Sequence, residues 1–125
     1  MRNACSSTSV LMILGLLLIP GLVCPPQSQA SEEKYTWCKA DDLDVHGKRV
    51  FYSDPFPEEA SRSMAEYAQA FENYVRSHYG VTTATASCEP SITNRSQSEA
   101  KAARDQDASN KRSVRIDVVF SGWTY

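Results

Sequence analysis

The chain has 125 residues, 13 basic and 15 acidic side chains, and a formal charge of −2. That length supports one domain of modest core. Its basic residues are scattered except for the pairs Lys48-Arg49 and Lys111-Arg112, so the positive footprint of a nucleic-acid binder is missing.

Residues 1–30 read as a cleaved secretory signal. Arg2 carries their one charge, residues 10–19 (VLMILGLLLI) are apolar, Pro20 and Gly21 break the run, and Ser28-Gln29-Ala30 matches a small-x-small cleavage site. The run is too short to cross a bilayer, which takes about 20 apolar residues. An uncleaved anchor is the bland alternative. Lipoprotein processing at Cys24 fits poorly, because Val23 is bulky and Gly21 stands where Leu is usual. Cleavage after Ala30 leaves residues 31–125 as a single exported α/β domain, periplasmic or secreted. Losing Arg2 makes its balance 12 basic against 15 acidic residues, a charge of −3. No basic amphipathic helix suggests a membrane-surface role. Cys5 and Cys24 depart with the signal, which leaves Cys38 and Cys88 to form one disulfide in an oxidising compartment. The absence of a C-x-x-C spacing argues against a redox or metal-binding thiol pair.

Taken in order, residues 35–40 (YTWCKA) predict a first strand and residues 41–48 (DDLDVHGK) a turn. Residues 49–53 (RVFYS) predict a second strand, ended by Asp54-Pro55-Phe56-Pro57. Residues 58–80 hold an amphipathic helix, with Met64, Tyr67, Ala68, Phe71, Tyr74, Val75, His78 and Tyr79 on one arc and Gly80 as its left-handed stop. Residues 81–88 (VTTATASC) suggest a third strand. Ser96-Gln97-Ser98-Glu99 has capping-box spacing and opens a second, more exposed helix. Residues 114–120 alternate as a last strand, with Val114, Ile116, Val118 and Phe120 on one face. The expected fold is α+β: a two-layer α/β sandwich of order β-β-α-β-α-β, with a four-stranded sheet and two helices on one face. The Cys38–Cys88 bridge would set the first and third strands side by side. Tyr35 and Trp37 would then point to the face that no helix covers.

Chemistry-bearing patterns are few. His46 falls in the hairpin turn and His78 in the last turn of the main helix. Either could serve a small hydrolase with a nearby carboxylate, but solvated or helix-capping roles explain both. Asp42-Leu43-Asp44-Val45-His46-Gly47 imitates half a calcium loop, yet its twelfth position is Ser53 rather than the bidentate Glu. A polar turn explains it better, and neither metal nor cofactor is expected. Glu58 and Glu59 suit a helix start. The remaining candidate is an aromatic recognition surface drawn from Tyr35, Trp37, Trp123, Tyr125, Tyr67, Tyr74 and His78, weighed against a core-edge role. Its partner would be a protein or a cell-wall glycan. Asn94-Arg95-Ser96 is an N-glycosylation sequon.

The paired cysteines, the helix ending Tyr79-Gly80 and the terminal Gly122-Trp123-Thr124-Tyr125 resemble small exported bacterial proteins of unknown function, a resemblance that brings no activity with it. Residues 96–104 (SQSEAKAAR), followed by a strand, faintly resemble peptidoglycan-binding SPOR domains. The first half departs from that pattern, having two strands before its first helix. Together these readings point to a non-enzymatic exported binding or interaction module. A small secreted hydrolase using His46 or His78, or an inhibitor presenting the convex loop 41–48, are the alternatives.

Overall fold

The computed structural model describes residues 33–89 and 96–125. Residues 1–30, expected to be a signal and holding Cys5 and Cys24, and Asn94 of the sequon lie outside the described residues. In chain order the elements are β1 (Tyr35–Thr36), β2 (Cys38–Asp42), β3 (Arg49–Tyr52), β4 (Phe56–Pro57), α1 (Met64–Tyr79), β5 (Ala84–Cys88), α2 (Gln97–Ser113) and β6 (Asp117–Phe120). The class is α+β, and the order β-β-α-β-α-β holds once the short β1–β4 ribbon is set apart. No helix among the described residues is long and apolar enough to cross a membrane.

The main sheet has the order β5-β2-β3-β6. Strand β2 is antiparallel to both neighbours, whereas β6 is parallel to β3. Strands β3, β5 and β6 therefore share one direction. The chain leaves β3 through α1 and passes over β2 to reach one edge. It then returns through α2 across the whole sheet to the other edge. Two crossovers of the same hand that travel in opposite directions must lie on opposite faces.

The helices do lie on opposite faces, and this corrects the expectation of two helices on one face. Beneath α1 sit Cys38, Ala40, Phe51 and Ala84, packed on Tyr67, Phe71 and Val75. Beneath α2 sit Trp37, Val50 and Tyr52, packed on Ala100 and Ala108. The last strand is corrected with them. Ile116 and Val118 pack on the α2 side, and Val119 is the residue that meets the α1 core. Val114 is 66% exposed and caps α2 rather than opening a strand. Helix α2 runs on to Ser113 and closes with an Ile116 N–H bond to the Lys111 carbonyl and Arg115 at φ 62°.

Helix α1 starts later than the expected position 58. Its N-cap is Ser63, whose hydroxyl accepts from the Glu66 N–H while the Glu66 carboxylate accepts from the Ser63 N–H. Upstream, the Glu58 N–H is committed to the Lys34 carbonyl beside the β1–β4 ribbon. Gly80 stops the helix at φ 67°, a conformation that costs glycine nothing. The expected first strand divides at Trp37, because its partner changes from β4 to β3 where Ser53, Asp54 and Pro55 interrupt that side.

Cys38 and Cys88 are bonded and stand directly opposite each other across β2 and β5, with Cα atoms 3.9 Å apart. The bridge closes a loop of sequence separation 50. Replacing both cysteines with serine should lower the unfolding free energy by about 4 kcal/mol, read from urea denaturation. A midpoint equal to that of the oxidised wild type would contradict the cross-link.

Candidate functional site

After β6 the chain turns back over the α1 side of the sheet. The Ser121 N–H donates to the Tyr52 carbonyl at 2.9 Å, and the Asp54 N–H donates to the Trp123 carbonyl at 2.8 Å. These bonds lay Trp123 against Phe56 (ring centroids 5.5 Å) and Phe71 (5.0 Å), and set Tyr125 edge-on to Tyr67 at 4.8 Å. Helical spacing brings Tyr67, Phe71, Tyr74 and His78 along one side of α1. Tyr74 and His78 stack at 5.0 Å with planes 11° apart.

Five of the seven aromatic residues singled out by sequence thus meet in one cluster: Tyr67, Tyr74, His78, Trp123 and Tyr125. Tyr67 is fully buried and serves as its base. Tyr74 and Trp123 are half-buried, while His78 and Tyr125 are exposed. The Arg62 guanidinium lies over the Tyr125 ring at 4.7 Å.

Tyr35 and Trp37 do not join them. Both point away from the disulfide as expected, but the face they enter is covered by α2, contrary to expectation. Trp37 is 2% exposed and packs on Tyr52 with centroids 5.7 Å apart. Its Nε1–H is buried with no hydrogen-bond partner among the described residues. Tyr35 is half-buried and donates to Glu33 at 2.9 Å.

Beside Trp37 lies a shallow depression of about 320 Å³, lined by Trp37, Glu89, Ala103, Gln106, Asp107 and Asn110. Much of its polar lining is already engaged. Gln106 donates to Asn110 at 3.1 Å, and Asp107 Oδ2 accepts from the Tyr52 hydroxyl at 2.7 Å and from Lys39 Nζ at 3.2 Å. Burial, helped by the bond to Asp107, pushes the Tyr52 phenol well above its ordinary value. Burial would also raise the Asp107 carboxyl, but the bonds from Tyr52 and Lys39 outweigh it and hold the group below the usual carboxylate value. Asp107 is therefore an ionised anchor between α2 and the sheet, not a proton carrier.

A second anchor, Arg104, was not picked out from the sequence. Its guanidinium Nη1 donates to the Ser53 carbonyl at 3.1 Å and to Asp54 Oδ1 at 2.7 Å, and Nη2 donates to Asp105 at 2.8 Å. The residue is 6% exposed. The available signal was its place midway between Ala100 and Ala108, each four residues away, on the buried stripe of α2.

The hairpin carboxylates are occupied as well. Asp42, fully buried, accepts from the Asp44 N–H at 2.9 Å and from Arg49 Nε at 2.8 Å. Asp44 reaches the α1–β5 connection and accepts from the Thr82 and Thr83 N–H groups at 2.6 and 2.9 Å. The Thr82 amide chiefly holds its carboxyl below the ordinary value. No group of three or more His, Cys, Asp or Glu able to hold a metal occurs among the described residues. This bracing leaves Leu43 and Val45 exposed at the tip, at 44% and 38%. His46 sits in the same turn at φ 56°, and the ring contacts of His78 are with Tyr74 and Tyr79. Neither imidazole is hydrogen-bonded to a carboxylate or hydroxyl among the described residues.

No protein-family model, curated protein or solved structure matches the chain.

The Tyr52–Asp107 bond has a pH signature. Because the folded phenol keeps its proton above the ordinary value of 10.0, it contributes stability that is complete below pH 10 and lost as pH rises through the folded value. Thermal melts on either side of pH 10 should show a steeper alkaline loss for the wild type than for Tyr52→Phe. Equal slopes would remove titration of the buried phenol from the stability account.

Proposed function

We propose that the chain is an exported, non-enzymatic interaction module that holds a protein or cell-wall glycan on the aromatic strip Tyr74, His78, Trp123 and Tyr125. The observation that carries this reading is the support beneath the strip. Trp123, Tyr125 and Tyr74 rest on buried Phe56, Tyr67 and Phe71, and His78 stacks on Tyr74, so the rings are held in place before any partner arrives. Rigid aromatics with polar tips lose little entropy on binding and suit both protein hot spots and sugar faces. The disulfide favours an oxidising compartment, and the signal-like residues 1–30 favour export. The hydrolase reading has less support, since the geometry around His46 and His78 offers no base–carboxylate pair among the described residues.

One observation favours a second reading, an inhibitor of a secreted enzyme. The hairpin tip is braced from behind by Asp42 and Asp44 while Leu43 and Val45 face outward, as a preorganised loop entering a pocket would.

Affinity capture from the native envelope and secretome, scored for proteins and glycans, separates the two. His78→Ala with Tyr125→Ala removes the two exposed rings of the strip, and should weaken the captured partner about 30-fold, or roughly 2 kcal/mol, with the circular dichroism of the wild type retained. Unchanged binding in that variant, with loss in Leu43→Ser/Val45→Ser, would transfer recognition to the hairpin.

A further inference from the structure

We propose that the outer edge of β5 is a self-association site, at which two copies of the chain pair β5 against β5 antiparallel about a two-fold axis through Ala86. This goes beyond the aromatic strip, which lies elsewhere on the molecule. The inference starts from hydrogen-bond parity. At the two ends of the β2–β5 ladder, the Glu89 N–H donates to the Trp37 carbonyl and the Leu43 N–H donates to the Thr83 carbonyl, both at 3.0 Å. Hydrogen-bonded pairs alternate along an antiparallel ladder, so in this register Lys39/Ser87 and Asp41/Thr85 exchange bonds. Ala84, Ala86 and Cys88 then turn their N–H and C=O groups away from β2. No described strand lies on that side.

The two edges of the sheet are not treated alike. Strand β6 begins at exposed Asp117, follows Arg115, and carries the Arg104 and Arg112 guanidinia over its terminal Phe120 at 4.7 and 5.4 Å. Charge of this kind guards an edge against unwanted pairing. Among the described residues strand β5 itself carries no charge, the nearest being Glu89 just past its end. Residues 81–88 (VTTATASC) contain no charge and no proline, and all five β5 residues pair with β2 without a bulge.

The edge is also self-complementary. About an axis at Ala86, that residue exchanges both backbone bonds with its own copy, and Ala84 does so with Cys88 of the second copy. Exposed Thr85 falls opposite Ser87 of the second copy, a neutral hydroxyl pair. On the other face the strand offers only Ala84, Ala86 and the bridged Cys88. Helix α1 leaves room for a neighbour there. Trp123 and Tyr125 occupy the flank marked by Tyr67 and Tyr74, so the opposite flank carries Ala65, Ala68 and the internally neutral pair Glu72–Arg76 (3.8 Å). Ala65 and Ala68 keep the first half of that flank low, Tyr79 is turned onto Phe51 in the core, and the aromatic strip lies on the other flank.

Sedimentation equilibrium and amide hydrogen exchange on the disulfide-bonded protein test this. A dimer is expected, with the Ala84 and Ala86 amides protected although neither has an acceptor among the described residues of one chain. Thr85→Lys/Ser87→Lys alters two exposed side chains and opposes like charges across the axis. It should weaken the dimer at least about 10-fold and release that protection, with the circular dichroism of the monomer retained. A wild type that stays monomeric to about 1 mM overturns the proposal. So does a dimer that survives the lysine variant, or one whose Ala86 amide exchanges freely.

Discussion

The antiparallel strand β2, held between β5 and β3, is the constraint from which the rest of the architecture follows. It separates two strands of like direction, so the crossover through α1 must carry the chain past it to one edge. The return through α2 then runs the opposite way, and a common hand places that helix on the other side of the sheet. Both faces become buried. In a small domain this spreads few large side chains over two cores: Phe51, Phe56, Tyr67 and Phe71 on one side, and Trp37 with Tyr52 on the other. Neither core is large, which is why covalent and ionic ties accompany both.

The ties divide by face. On the α1 side the disulfide joins β2 to β5 where small residues Ala40, Ala84 and Ala86 let the helix approach. On the α2 side the helix offers only Ala100 and Ala108 as buried apolar contacts, and polar anchors take over. Arg104 holds the chain just beyond β3, and Asp107 meets Tyr52 and Lys39. A helix that buries so little apolar surface depends on such bonds for position, because each is costly to leave half-made once buried.

The aromatic cluster shows how core and surface roles coexist in one set of residues. The inner rings fill space between α1 and the tail, whereas the outer ones extend the same packing into solvent. Their rigidity derives from the core beneath. The hairpin follows the same logic with polar groups, since buried Asp42 and the Asp44 bridge fix a turn whose apolar residues face out.

Much of the local structure was legible from sequence alone. The apolar arc of α1, its stop at Gly80, the capping box at Ser96, the pairing of Cys38 with Cys88 and the element order all rest on short-range periodicity, backbone sterics or the counting of cysteines. The true start of α1 was legible too, in the S-x-x-E spacing of Ser63 and Glu66, although acidic residues further upstream obscured it. Tertiary structure alone decided which face each helix covers, because that depends on strand order, and no local pattern encodes strand order. From that one decision came the burial of Trp37, the side taken by Ile116 and Val118, the anchoring role of Arg104, and the place of β5 at the end of the sheet. The gathering of Tyr74, His78, Trp123 and Tyr125 was likewise settled in three dimensions. Residues 40 or more positions apart meet only when the tail's backbone bonds to Tyr52 and Asp54 bring them together.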